Sequence, residues 1–158
     1  MSSKTSITRT VIVESKPGAI TKAFEWILSK LQAGNFSAED VFAVRMALSE
    51  AFLNAISHGN KMDPDKEIKI DYSVSEDKVG ISMTDQGEGF NPQKVPDPRC
   101  DENLYKTRGR GLLLMRSYMD VVEFNELGNS VHMVRYKNSA RSAANSKDSN
   151  EQQGRSGV

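Results

Sequence analysis

Two alternating runs joined by a short turn constrain this chain more than any other feature. Ile68, Ile70, Tyr72 and Val74 alternate with charged or polar residues, Glu76-Asp77-Lys78 supplies the turn, and Val79, Ile81 and Met83 alternate again up to Asp85. Period-two patterning on both sides of a turn predicts a β-hairpin. Two helices are predicted before it. From Pro17 to Leu31 the apolar positions Ile20, Phe24, Ile27, Leu28 and Leu31 keep three-and-four spacing, with Gly34 as a C-cap. Ser37 opens a second helix with Asp40 in the capping-box position, and Val41, Val44, Leu48, Phe52, Ala55 and Ile56 run down it toward an end near Gly59.

The flanks complete a β-αα-ββ-lid-α-ββ order. Ser6 to Glu14 is a β-branched run ended by Pro17 and Gly18, and it predicts a strand. Residues 86–108 have no periodicity and several Gly and Pro; a loop of about twenty residues inside a compact domain is usually functional, and we read it as a lid. Gly109 to Met119 predicts a short helix, followed by strands at Val121–Glu126 and Val131–Tyr136 around a Leu127-Gly128-Asn129 turn. The expected organisation is an N-terminus without structure over 1–5, one folded domain over 6–137 and a polar tail over 138–158. Deleting 139–158, which holds no large apolar residue before Val158, is expected to change thermal stability by no more than ~0.5 kcal/mol; a large drop in melting temperature would show that it docks.

Composition narrows the function classes. Lys plus Arg and Asp plus Glu both total 21, so net charge gives no reason to expect direct nucleic-acid or membrane binding. One cysteine, Cys100, cannot form an internal disulfide, and with two His it supplies too few soft ligands for zinc. No apolar run approaches the ~20 residues that span a bilayer, and Met1-Ser2-Ser3-Lys4-Thr5 lacks a signal peptide's apolar stretch, so a cytoplasmic protein is expected. P-loop, dinucleotide, serine-hydrolase and zincin signatures are absent, and Cys100 in its Pro-rich loop reads as a bystander.

Three clusters carry possible chemistry. Glu50, Asn54 and His58 recur every four residues on the second helix, on a stripe that diverges from the apolar one. Glu50 can accept a proton, and the Asn54 carbonyl can ligate Mg²⁺ whose other sites go to water and phosphate. His58 beside Gly59 reads as a helix C-terminal cap. Asp85-Gln86-Gly87-Glu88-Gly89-Phe90 follows a strand directly, where glycines let a ring approach the backbone while the Asp85 carboxylate accepts from an exocyclic amine. Arg108-Gly109-Arg110-Gly111-Leu112 opens a helix, a place that favours a phosphate, with Arg108 and Arg110 as candidate phosphate contacts.

In this order the clusters resemble the N, G1 and G2 boxes of the GHKL ATPase superfamily of gyrase, histidine kinases and mismatch-repair ATPases. The branch most similar is that of the bacterial anti-sigma factor serine/threonine kinases. The resemblance spans roughly residues 6–137 and rests on Met46-Ala-Leu-Ser-Glu-Ala-Phe-Leu-Asn-Ala-Ile-Ser-His58, Thr84-Asp-Gln-Gly-Glu-Gly-Phe90 and Gly109-Arg-Gly-Leu-Leu-Leu-Met115, with Met119-Asp-Val-Val after them. It implies an α/β fold of the α+β two-layer kind, a mixed and mostly antiparallel sheet covered on one face by about three helices. It implies ATP and Mg²⁺ as cofactors, Asn54 as the Mg²⁺ ligand, Asp85 as the acceptor for the adenine amino group, and backbone room at Gly87, Gly89, Gly109 and Gly111. Glu50 becomes the residue that activates the attacking hydroxyl, and Ser130 the second polar contact to adenine, in place of the family's two-threonine pattern. The implied partners are a sigma factor and an anti-anti-sigma protein of the STAS type phosphorylated on Ser or Thr, with the kinase a homodimer. An ATP-gated binding regulator without phosphoryl transfer is the alternative.

Overall fold

The computed structural model describes residues 7–88 and 111–138. In chain order these form β1 (Ile7–Glu14), a 3₁₀ turn (Pro17–Ile20), α1 (Thr21–Ala33), α2 (Ala38–Asn54), a π-helical turn (Ala55–Gly59), β2 (Glu67–Val74), β3 (Lys78–Thr84), α3 (111–118), β4 (Val121–Phe124) and β5 (Ser130–Tyr136). Apart from the lid, most of which lies outside the described residues, the predicted element order is the observed one. The strands lie in the order β1-β2-β3-β5-β4.

Every neighbouring pair in that sheet is antiparallel, where the resemblance implied a mixed and mostly antiparallel sheet. Two helices separate β1 from β2, and two successive reversals bring the chain back antiparallel. β3 and β4 do point the same way, since each is antiparallel to β5, but β5 lies between them. The mixture is therefore one of strand direction and not of hydrogen-bonded pairing.

Alternation decides what the sheet buries. Register places Ile70 opposite Val11 and Met83, and Ile81 opposite Tyr72 and Met133, so these side chains share one face. That face is buried against Ile27, Leu28 and Leu31 of α1 and Val44, Leu48 and Phe52 of α2. Ile27, Leu31, Val44 and Leu48 are wholly excluded from solvent, and burying each such side chain stabilises the fold by ~1.5–3 kcal/mol. The opposite face carries Lys69, Ser82 and His132, with Ser82 Oγ 2.8 Å from His132 Nδ1.

Boundaries shift where side chains compete for the backbone. Pro17 begins a 3₁₀ turn, so the α-helix starts four residues later than predicted. β4 stops at Phe124, two residues early, because Asn125 turns the chain: its Oδ1 accepts the N–H groups of Gly128, Asn129 and Ser130 at 2.8, 3.0 and 3.1 Å. Gly128 takes φ 80° there, the left-handed region that glycine enters without strain.

The start of α2 is bolted to the end of β5. Ser37 and Asp40 form the predicted capping box, yet Asp40 is fully buried and does more than cap. Arg135 Nε donates to Asp40 Oδ1 at 2.9 Å, and a second guanidinium nitrogen donates to the Tyr118 carbonyl at 2.6 Å. The Asn138 N–H donates to Asp40 Oδ2 at 3.1 Å and its side-chain amide to Ser37 Oγ at 2.8 Å, so Asn138, assigned above to the tail, is part of the folded domain. Burial by itself would raise the Asp40 pKa. The Asn138 N–H, the Arg135 guanidinium and the Ser37 hydrogen bond together outweigh it and hold the carboxyl below its ordinary range. Residues 1–5 and 139–158 lie outside the described residues.

Candidate active site

Glu50 and Asn54 stand one turn apart near the end of α2, both half-buried on the side away from Leu48 and Phe52. Over them sits the start of α3. A Cβ on Gly111 would lie 3.0 Å from Asn54 Nδ2, 3.2 Å from Glu50 Oε2 and 3.4 Å from Asn54 Oδ1. A side chain at this position would crowd the ends of both Asn54 and Glu50, and with glycine there a carboxylate and an amide are gathered at one point beneath α3. Both offer hard oxygen donors of the kind Mg²⁺ prefers. Among the described residues no group of three or more His, Cys, Asp or Glu side chains is placed to hold a metal, so a cation at Asn54 would take most of its ligands from water and phosphate.

The second part of the site begins where β3 ends. The Asp85 N–H donates to the Asn129 carbonyl at 2.9 Å, which ties the strand end to the turn before β5. The Gly87 N–H donates to Asp85 Oδ1 at 2.8 Å. Two glycines close around this carboxylate: a Cβ on Gly59 would overlap it, and a Cβ on Gly87 would run into the Gly59 carbonyl. Asp85 is thus held by backbone that no larger residue could supply.

Between the two parts runs a cleft. Met83, Met115, Phe124 and Val131 give it apolar walls, and Asn54, Asp85 and Ser130 bring polar groups to it. Apolar walls with a few placed polar groups are the usual lining of a small-molecule site. Ser130 Oγ is 2.7 Å from Thr84 Oγ1, so the hydroxyl that faces the slot is also paired across the sheet. Six of the sequence-selected residues are therefore placed: Asn54, Asp85 and Ser130 on the slot, Gly87 against Asp85, and Glu50 and Gly111 at the Asn54 end. Gly89, Gly109, Arg108 and Arg110, with most of the predicted lid, lie outside the described residues. His58 is half-buried within the π turn.

Sequence reasoning missed Asn60, which is fully buried at the end of the π turn. Its amide nitrogen donates to the Glu67 carbonyl at 3.1 Å and its Oδ1 accepts from the Gln86 N–H at 2.8 Å. Set among Lys61, Asp63, Pro64 and Asp65, it had the composition of a solvated loop, and no local signal separates it from one. The apolar walls were legible in part, because Met83 and Val131 fall on the buried phase of their strands.

Residues 13–135 match the histidine kinase-like ATPase domain family. The chain is 31% identical over 122 residues to the serine-protein kinase RsbW of Listeria innocua, covering 71% of this chain and 76% of that one. It is 32% identical over 131 residues to the RsbW of Bacillus licheniformis, covering 78% and 80%, and 32% identical over 113 residues to that of Bacillus subtilis, covering 67% and 71%. Among the described residues no helix is long and apolar enough to cross a membrane.

Proposed function

The chain belongs to the histidine kinase-like ATPase family, in the branch of the RsbW serine-protein kinases, and from that premise we propose that it is an ATP-dependent anti-sigma factor. It sequesters a sigma factor and phosphorylates a Ser or Thr of an anti-anti-sigma protein of the STAS type, acting in the cytoplasm as a homodimer. The observation that carries this reading is the gathering of Glu50 and Asn54 under Gly111 at one end of an apolar slot that has Asp85 at its other polar edge.

In this reading adenine enters the slot and Asp85 accepts from its exocyclic amine, with Ser130 as a second polar contact. Asn54 holds Mg²⁺, which when bound neutralises charge on the phosphates. Gly111 lets the α3 backbone approach, and Gly89 and Gly109 give further backbone room, with Arg108 and Arg110 as phosphate contacts. Glu50 takes the proton of the incoming hydroxyl as its oxygen bonds to the γ-phosphorus and ADP leaves.

Asn54→Ala is expected to keep the fold and weaken Mg-ATP binding by at least tenfold, since loss of even an outer partner of a metal ligand costs ~10–100-fold. Calorimetry with and without Mg²⁺ checks this, and unchanged affinity would remove the metal assignment. For the function itself, tagged protein is used to capture its partners, which are then incubated with it and Mg-ATP. Phosphoserine or phosphothreonine on a captured STAS-type protein is the expected product; ATP-dependent capture with no phosphorylation of any partner would leave a binding regulator.

A further inference from the structure

Asn60 joins three segments that the site needs in fixed relation. Its own N–H closes the π turn on the Ala55 carbonyl at 2.8 Å, directly after the helix that carries Asn54. Its side-chain nitrogen fastens the Glu67 carbonyl at the start of β2, and its oxygen receives the N–H of the Asp85–Gln86 peptide. Gln86 strengthens the same knot, its Oε1 accepting the Glu67 N–H at 2.8 Å. Asn60 is 0% exposed, so water cannot stand in for either partner.

We propose that Asn60 is a positioning residue for base specificity: it sets the Asp85 carboxylate relative to the slot and to Asn54, and so decides how strongly the site prefers adenine to guanine. This rests on the reading of Asp85 as acceptor for the adenine amine. Guanine presents a carbonyl at that position, and a carboxylate held in place repels it. A carboxylate free to shift discriminates less. Gly59 enforces the same contact from the other side, because the π turn that Asn60 closes puts its backbone against the carboxylate.

The test is the ATP/GTP affinity ratio, measured by calorimetry on the full chain, Asp85→Asn, Asn60→Ala and the double variant, each at a temperature where circular dichroism shows it folded. Asp85→Asn should lower the ratio, and Asn60→Ala should lower it about tenfold, the worth of a hydrogen-bond geometry held by a buried group. In the Asp85→Asn background, Asn60→Ala should change the ratio no further, because the two act through one contact. A lower melting temperature with an unchanged ratio would make Asn60 a structural tie and overturn the proposal, as would additive effects. An unchanged ratio in Asp85→Asn would instead remove the adenine reading, and the proposal with it. Should Asn60→Ala fail to fold, Asn60→Asp still accepts from Gln86 but opposes the Glu67 carbonyl; it should lose stability and keep the ratio, and a fallen ratio would again overturn the assignment.

Discussion

Replacing Glu50 by Gln is expected to leave Mg-ATP binding near normal and to reduce phosphorylation of the partner hydroxyl by ~10²–10⁴-fold, the usual worth of a positioned general base. The amide keeps the shape of the carboxylate and cannot take the proton. Under the proposed reading Glu50 is the candidate for this base: its Oε2 lies 3.2 Å from where a Cβ on Gly111 would stand, and the Asn54 amide is one turn along α2. The paired variants separate two roles on one helix: Asn54→Ala should weaken binding, while Glu50→Gln should spare binding and stop transfer. Single-turnover phosphorylation at saturating ATP is the measurement. A fall of less than tenfold would make Glu50 a structural residue.

The second large effect lies away from the slot. Arg135→Met should destabilise the fold by ~3–5 kcal/mol, because it leaves the Asp40 carboxylate in the core without its counter-charge. A domain of this kind has ~5–15 kcal/mol in all, so the variant should melt far below the parent chain or fail to accumulate. The wild-type pair also has a pH signature. Asp40 titrates below its ordinary value of 3.8, so the stability it contributes is fully present above that value and is lost as pH falls through the lower folded-state pKa. In Arg135→Met the same carboxyl, buried without its partner, takes up a proton more readily, and the deficit relative to wild type should narrow as the solution is acidified. Denaturant melts at several pH values check this; a deficit that widens toward acid would mean that Asp40 is not the group left exposed to the loss. Replacing both residues by Leu should recover part of the stability, since an apolar pair carries no uncompensated charge while the Ser37 and Asn138 N–H groups still lose their acceptor.

Legibility in the sequence followed the range of the interaction. Alternation in 68–83 and the three-and-four spacing in 20–56 are local signals, and the elements they predict are present with ends displaced by a few residues. The candidate residues could be singled out for a related reason: Glu50 and Asn54 lie one turn apart on one helix and Asp85 stands at a strand end beside glycine, while the roles proposed for them came from the order of the three clusters and the family they resemble. Asp40 shows the limit. A capping box explains an acidic residue at that position completely, and nothing within reach of it along the chain announces Arg135. Asn60 fails in the same way, since its two partners, Glu67 and Gln86, belong to different strand ends. Register decided the sheet's character too, because whether β3 and β4 touch depends on where β5 inserts.

That insertion governs when the protein can exist at all during synthesis. β5 is among the last described segments to be made, yet it lies inside the sheet, between β3 and β4, and it delivers Arg135 to an aspartate made 95 residues earlier. A nascent chain that has emerged through the hairpin alone has an open β3 edge and a carboxylate with no counter-charge, a species that exposes unpaired backbone and apolar surface. Among the described strands the sheet can therefore be completed only once β5 has been made. The helix α2, which carries both Glu50 and Asn54, waits for the late-made Arg135 that ties down its first turn.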